Sequence, residues 1–225
     1  AYRHGAGEVA TNGGWDMILV TSDWHLNPGE LFPKDFFSPM GEEDVVIFNG
    51  DMLNILPLGM KQWRTEAGNQ TVQSLYDALP MGRIGFFMMG NHEGRLQWMR
   101  ELFQRAGILC ERAVDIGAWH FEHGHKLTEW RWLGKIADDI TEAMVAMAPG
   151  LWYKFCSRMK WIPSKYANPG LEYQDIVVAY WAMAMVHAKK LNKQMVIGHS
   201  HTRGDILTQY CTVIDCGARR VISLV

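Results

Sequence analysis

Ile84-Gly85-Phe86-Phe87-Met88-Met89-Gly90-Asn91-His92-Glu93 decides how the rest of this chain is read. A short apolar run stops at a glycine, and three side chains able to bind metal or move protons follow. Such a run fits a strand buried on both faces of an α/β sheet. Beyond it, Leu96, Met99, Leu102, Phe103 and Ala106 keep the spacing of an amphipathic helix, closed by Gly107. An α/β sheet places its ligands in the loops at the carboxyl ends of its strands, where Asn91, His92 and Glu93 fall.

Four other stretches repeat the arrangement. Met17–Val20 runs into Thr21-Ser22-Asp23-Trp24-His25, and Val45–Phe48 runs into Asn49-Gly50-Asp51. A strand-like piece over 117–123 leads to Glu122-His123-Gly124-His125, and Gln194–Ile197 to Gly198-His199-Ser200-His201. Between these lie a loop over 26–43 with Pro28, Pro33 and Pro39, and a helix within 60–79 carrying Trp63, Val72, Leu75 and Leu79. Further strands are predicted within 108–116 and at 206–209, 211–214 and 220–225, while residues 1–14 read as a loose lead-in. Helices on both faces of a mixed sheet follow from this order.

Residues 126–192 break the rhythm. A helical stripe from Trp130 to Met147 ends at Pro149-Gly150, a second piece over 151–167 has mixed periodicity, and a third helix over 172–191 is apolar on nearly every side. That last helix is expected to be buried. The expected organisation is a single domain over 1–225 with a helical cap inserted at 126–192.

At 225 residues, 48% apolar and 20% charged, the chain can bury a real core and does not read as disordered. A formal charge of −2 gives no overall pull toward nucleic acid or anionic membrane, and no binding module for nucleic acid is visible. Ten Trp and fourteen Met point to a large core, an apolar pocket, or both. Cys110, Cys156, Cys211 and Cys216 form no CxxC pair and read as reduced thiols, with Cys216 close to the site. No basic-then-apolar leader is visible in Ala1–Gly14, and the longest apolar run, Ile176–Val186, is too short to span a bilayer. A cytoplasmic protein is the expectation.

Asp, His and Asn supply the oxygen and nitrogen donors that suit Mn, Fe, Zn, Ni or Co, and no thiolate is placed among them. Asp23 with His25, and His199 with His201, share a face if the chain stays extended there. A carboxylate such as Asp51 can bridge two cations, and two ions about 3.5–4 Å apart can acidify a water and clamp a phosphoryl group. Each motif alone is a weak signal; five in compatible order, each ending an apolar run, are a strong one.

The set Asp23-Trp24-His25, Gly50-Asp51, Gly90-Asn91-His92-Glu93, His123 and Gly198-His199-Ser200-His201 resembles the calcineurin-like metallophosphoesterase superfamily. The resemblance implies a four-layer α-β-β-α metallophosphoesterase sandwich around a dinuclear centre, with manganese the foremost metal. It implies hydrolysis of a phosphomonoester or phosphodiester by in-line attack of metal-bound hydroxide. Asp23, His25, Asp51 and His201 would hold one ion, and Asp51, Asn91, His123 and His199 the other. His92, oriented by Asp23, would stabilise the transition state or protonate the leaving oxygen, making His92 and Asp23 the catalytic pair. Glu93 would favour the N-terminus of the following helix through its dipole. His187 reads as core.

Between Glu142 and Glu172 no acidic residue occurs, while Lys154, Arg158, Lys160 and Lys165 alternate with Trp152, Tyr153, Phe155, Trp161 and Tyr166. A basic and aromatic cap suits a phosphorylated small molecule, nucleotide or lipid, or peripheral contact with a membrane. The competing reading is a solvated helix face over ordinary core aromatics. His125, Lys154, Arg158 and Lys160 are the expected substrate contacts. A helical insert there also resembles UDP-2,3-diacylglucosamine pyrophosphohydrolase. His92, where that enzyme family has Arg, brings the chain nearer to ordinary phosphomonoesterases and phosphodiesterases. The alternative from another class is an inactive module that only binds a phosphate ligand. Nothing in the sequence sets the oligomeric state.

Overall fold

The computed structural model describes residues 7–8, 17–37, 45–79, 85–103, 108–127 and 173–224. The described strands are β1 (Gly7–Glu8), β2 (Ile18–Thr21), β3 (Val45–Asn49), β4 (Gly85–Met88), β5 (Ile108–Glu111) and β6 (Ala113–Ile116). Then come β7 (Trp119–Glu122), β8 (Gln194–Ile197), β9 (Gly204–Leu207), β10 (Thr212–Asp215) and β11 (Val221–Leu224). The helices are α1 (Ile55–Leu58), α2 (Met60–Trp63), α3 (Glu66–Asp77), α4 (Leu96–Phe103) and α5 (Tyr173–Leu191).

Two sheets form, in the orders β11-β2-β3-β4-β5 and β1-β6-β7-β8-β10-β9. In the first, β2, β3, β4 and β5 run parallel, each buried on both faces except at Leu109 and Glu111 of the edge strand. Their unbroken apolar runs follow from that double burial. Ile18, Val20, Ile47, Phe86 and Met88 point at the other sheet, where Val114, Ile116, Phe121 and Val196 meet them. Leu19, Val46, Phe48 and Phe87 point the opposite way, onto Trp63, Leu75, Met99 and Phe103 of α2–α4. On the far side, Tyr180, Ala184 and Ala188 of α5 lie against Met195, Ile197 and Val213. The layers therefore run α-β-β-α, as the motifs implied.

Local signals explain the helices that hold the first sheet. Thr65 caps α3, its hydroxyl accepting from the Gly68 N–H at 3.3 Å. Met99 and Phe103, four residues apart, bury the inner face of α4. Phe48 and Phe87 are register partners on β3 and β4 and both are fully buried. At about 1.5–3 kcal/mol for each buried ring, this packing fixes the register that sets Asp51 against Gly90.

Several expectations changed. The helix predicted within 60–79 is two helices, because the chain breaks at Arg64-Thr65. The helix over 172–191 is not buried all round: Val177, Tyr180, Ala184 and Ala188 face the sheet, while Val178 and Val186 are exposed. One face suffices to cover β8 and β10, and its apolar outer residues had suggested more. Within the expected insert 126–192, residues 128–172 lie outside the described residues, and with them Lys154, Arg158 and Lys160.

Candidate metal centre

The parallel pairing of β2 with β3 continues past the strand ends. The Asp23 N–H donates to the Gly50 carbonyl (3.1 Å), His25 N–H to Asp51 (2.9 Å) and Leu26 N–H to Met52 (2.8 Å). In the second sheet the Gly198 N–H donates to the His123 carbonyl (3.1 Å). Strands β2, β3 and β4 thus deliver Asp23, His25, Asp51, Asn91 and His92 from one sheet, and β7 and β8 deliver His123, His199 and His201 from the other.

The loops are not extended, contrary to the face-sharing argument for Asp23 with His25 and His199 with His201. Asp23, His25, Asp51, His199 and His201 adopt φ of +58°, +51°, +51°, +71° and +57°. Left-handed backbone costs an L-residue about 1–2 kcal/mol, and here it turns neighbouring side chains onto one point. Strain of this kind gathers where surrounding structure over-determines the backbone. Two motif glycines answer to the same crowding. A Cβ at Gly90 would collide with the Asp51 side chain, and one at Gly50 (φ +84°) would strike the His123 ring.

The side chains converge. His201 Nε2 lies 3.2 Å from His25 Nε2 and 3.3 Å from Asp23 Oδ1. Asp51 Oδ2 lies 3.2 Å from His123 Nε2 and 4.0 Å from His92 Nε2. Donor atoms of Asp23, His25 and His201 come within 4.8 Å of one another, as do those of Asp51, His123 and His199, and those of His25, Asp51 and His92. His125 stands beside this cluster, its ring 5.7 Å from that of His123 and 6.4 Å from that of His199.

A divalent ion fits these residues. Asn91 Oδ1 is buried without a hydrogen-bond partner, and His123 Nε2 is buried with Asp51 Oδ2 3.2 Å away. Leaving a buried polar atom unsatisfied costs about 1–3 kcal/mol, which a cation would remove. His123 Nδ1 is 2.9 Å from the Asn49 carbonyl, so its N–H donates there and Nε2 is the nitrogen presented to the centre.

Electrostatics point the same way. Burial, the largest influence on His25, lowers its pKa to about 4, so the ring is neutral and able to ligate. Burial also favours neutral His123, but the Asp51 and Asp23 carboxylates outweigh it and raise its pKa. Burial works against the Asp51 charge too, yet His123 and His92 hold it well below the usual carboxylate range. Asp23 is raised, by burial first and then by Asp51. The His123 proton sits where a cation would, and an incoming ion would displace it.

The structure also exposes positions that the sequence reading passed over. Glu93 does not serve the following helix; it is fully buried and turned back into the centre. Its carboxylate accepts from the backbone N–H of Asp51 (3.0 Å), Leu53 (3.0 Å) and Gly90 (2.7 Å), tying two motif loops together. Burial, reinforced by Asp51, lifts its pKa to about 8 against those donors.

Asn54 uses its NH₂ on the His25 carbonyl (2.7 Å) and Asn27 Oδ1 (3.2 Å), which aims its own Oδ1 at His92 Nδ1, 3.0 Å away. His92 therefore carries its proton on Nδ1 and turns Nε2 toward Asp51. Asp23, expected to orient His92, accepts from the Ser22 hydroxyl and from the His199 N–H at 3.2 Å. Tyr180 and Asp215 brace the second sheet's loops: the Tyr180 hydroxyl donates to the Gly198 carbonyl (2.9 Å), and Ser200 donates to Asp215 (2.6 Å). An asparagine just past Gly-Asp and a tyrosine inside an apolar helix carry no pattern that sequence alone would flag.

Comparison with known proteins places this arrangement. A family model described as calcineurin-like phosphoesterase matches residues 17–203. The chain belongs to that family, and is a metal-dependent phosphoric ester hydrolase. No curated protein matches it significantly. Among solved structures it is similar to wild-type Vps29 from Entamoeba histolytica complexed with zinc: 13% identity, 90% of this chain and 74% of that one, TM-score 0.43. It is also similar to a predicted phosphoesterase from Streptococcus pneumoniae, at 11% identity over 93% and 83% of the two chains, TM-score 0.40. A third is the phosphopantetheinyl hydrolase of Mycobacterium tuberculosis, at 13% identity over 90% and 89%, TM-score 0.42. Among the described residues no helix is long and apolar enough to cross a membrane.

Proposed function

We propose that this hydrolase works through two divalent ions, manganese foremost, on a phosphomonoester or phosphodiester of a small molecule. One ion would be held by Asp23, His25, Asp51 and His201, the other by Asp51, Asn91, His123 and His199. The observation carrying this reading is Asp51, whose donor atoms belong to two histidine groups at once. Iron, zinc, nickel and cobalt share the same donor preference. When bound, the pair of ions would supply a water of lowered pKa and neutralise charge on the phosphoryl group.

The chain's own residues do the rest. His92, held by Asn54 with Nε2 facing the centre, delivers a proton to the leaving oxygen when doubly protonated. Glu93 keeps the two loops that carry Asp51 and His92 at a fixed separation. His125, Lys154, Arg158 and Lys160 are assigned to the non-reacting part of the substrate. A cytoplasmic setting accords with the free thiols of Cys110, Cys211 and Cys216.

The test runs aryl phosphate monoesters and diesters side by side with manganese, on wild type, Asn91→Ala and His92→Ala. Asn91→Ala is expected to lose bound metal and turnover together. His92→Ala should keep its metal and lose roughly 10²–10⁴-fold in turnover. Normal turnover by His92→Ala on a substrate with a poor leaving group would remove the role given to that ring.

A further inference from the structure

Away from this centre, on the face of the second sheet that α5 covers, three further donor side chains meet. His120 and Glu122 sit two apart on β7, so both project outward while Phe121 between them enters the core between the sheets. His187 descends from α5 onto the same spot, its ring centroid 6.0 Å from that of His120. Donor atoms of His120, Glu122 and His187 lie within 4.8 Å of one another. His120 Nε2 and Glu122 Oε2 are already 3.5 Å apart. Two ligands of a tetrahedral zinc ion stand about 3.3 Å apart, from bonds of about 2.0–2.1 Å.

Two details go beyond proximity. His120 Nδ1 lies 2.6 Å from Asp115 Oδ1 on the adjoining strand β6, so the ring donates to a carboxylate there and turns Nε2 toward Glu122 and His187. A carboxylate behind an imidazole fixes the ring's tautomer and raises its basicity as a ligand. The second detail is Glu122 Oε1, which is buried and has no hydrogen-bond partner. His120 itself is 6% exposed, and the Glu122 side chain 19%. His187, read from sequence as core, is only half-buried and turned to this cluster.

We propose that His120, Glu122 and His187 form a separate binding site for a single zinc-type divalent cation, with Asp115 orienting His120. Two histidines and a carboxylate leave a fourth position for water, and suit Zn, Co or Ni over Mg or Ca. The bound ion staples α5 to β7. The consequence reaches the hydrolytic centre mechanically, because His123 directly follows β7, and Tyr180 of α5 holds the Gly198 carbonyl in front of His199.

The experiment compares metal content rather than activity, so it stands apart from how many ions the hydrolytic centre holds. Wild type, His187→Ala and Glu122→Gln are loaded with zinc, desalted and assayed by elemental mass spectrometry, with circular dichroism checking the fold. Each variant is expected to carry one zinc fewer per chain than wild type. A parallel pair carrying His123→Ala, with and without His187→Ala, is followed by thermal melting with and without zinc. The zinc-dependent rise in Tm should persist in the first and shrink in the second. Equal zinc content in wild type and both folded variants overturns the proposal, leaving a hydrogen-bonded histidine–carboxylate network without a cation. If Ala at 187 disturbs the helix, the isosteric Glu122→Gln decides alone.

Discussion

The hydrolytic centre has a sealed wall and an open rim, and the two are built differently. At the wall, Asp51 and His123 are 1% exposed, with His123 anchored on the Asn49 carbonyl and the Asp51 loop clamped by Glu93. At the rim, His201 has a side chain 50% exposed, and its nearest described polar neighbours are other expected ligands, His25 and Asp23. A donor locked by packing and by a second hydrogen bond keeps its geometry before any ion arrives. One held only by its fellow ligands must be organised by the ion itself, and part of the binding energy goes into that ordering. The wall should therefore hold its cation more tightly, and the rim should be where ions exchange.

The largest expected effect breaks the comparison at the wall. His123→Ala should abolish binding of the tighter ion and with it detectable turnover, whereas His201→Ala should weaken only the looser one. Titration calorimetry with manganese on both variants reads the difference; equal losses would erase the distinction between wall and rim.

Next in size is a pH effect on the brace behind the rim. Burial raises the Asp215 carboxyl from 3.8 to about 7, against hydrogen bonds from Ser200, Trp181 and Gly217. Its folded pKa is above its unfolded one, so its protonated form stabilises the fold. That contribution is complete below pH 3.8 and is lost as pH rises through about 7. Between pH 5 and 8 the loss is on the order of 3 kcal/mol, at 1.36 kcal/mol per unit. Asp215→Asn should flatten the fall of Tm over that interval, and an unchanged slope would remove Asp215 as its source.

Glu93→Gln tests the clamp at the wall. An amide NH₂ turned toward backbone N–H donors leaves buried groups unsatisfied, worth about 1–3 kcal/mol. Urea denaturation should show that loss, together with weaker binding at the tighter site. The smallest effect sharpens the rim. Asn54→Ala frees His92 without removing it, and about a tenfold drop in kcat, or about 1.4 kcal/mol, is expected with metal content unchanged. A drop as deep as that of His92→Ala would mean that Asn54 does more than aim the ring.

Much of this was legible beforehand because buried parallel strands leave an unusually plain mark. Val45–Phe48 and Met195–Ile197 are unbroken apolar runs, each ended by a glycine-marked turn and a donor residue, and both lie in strands nearly where expected. The helix at 172–191 was equally clear in extent but misjudged in burial, since a side chain's hydrophobicity does not say whether anything lies against it. Glu93 was misjudged for a related reason: helix dipole and backbone clamp make the same demand for a carboxylate, and only the path of the chain chooses between them.

The order of residues along the chain determined the strands, the carboxyl-end loops and the family, because periodicity and short motifs are local properties. Tertiary structure alone decided that five of the expected ligands sit in left-handed backbone, and that Asn54 meets His92. It alone brought His187 to His120 and Glu122 across 64 or more intervening positions. Convergence of side chains depends on register between strands and on which helix face meets a sheet. Both are set by packing among residues distant in sequence, where no local pattern records them.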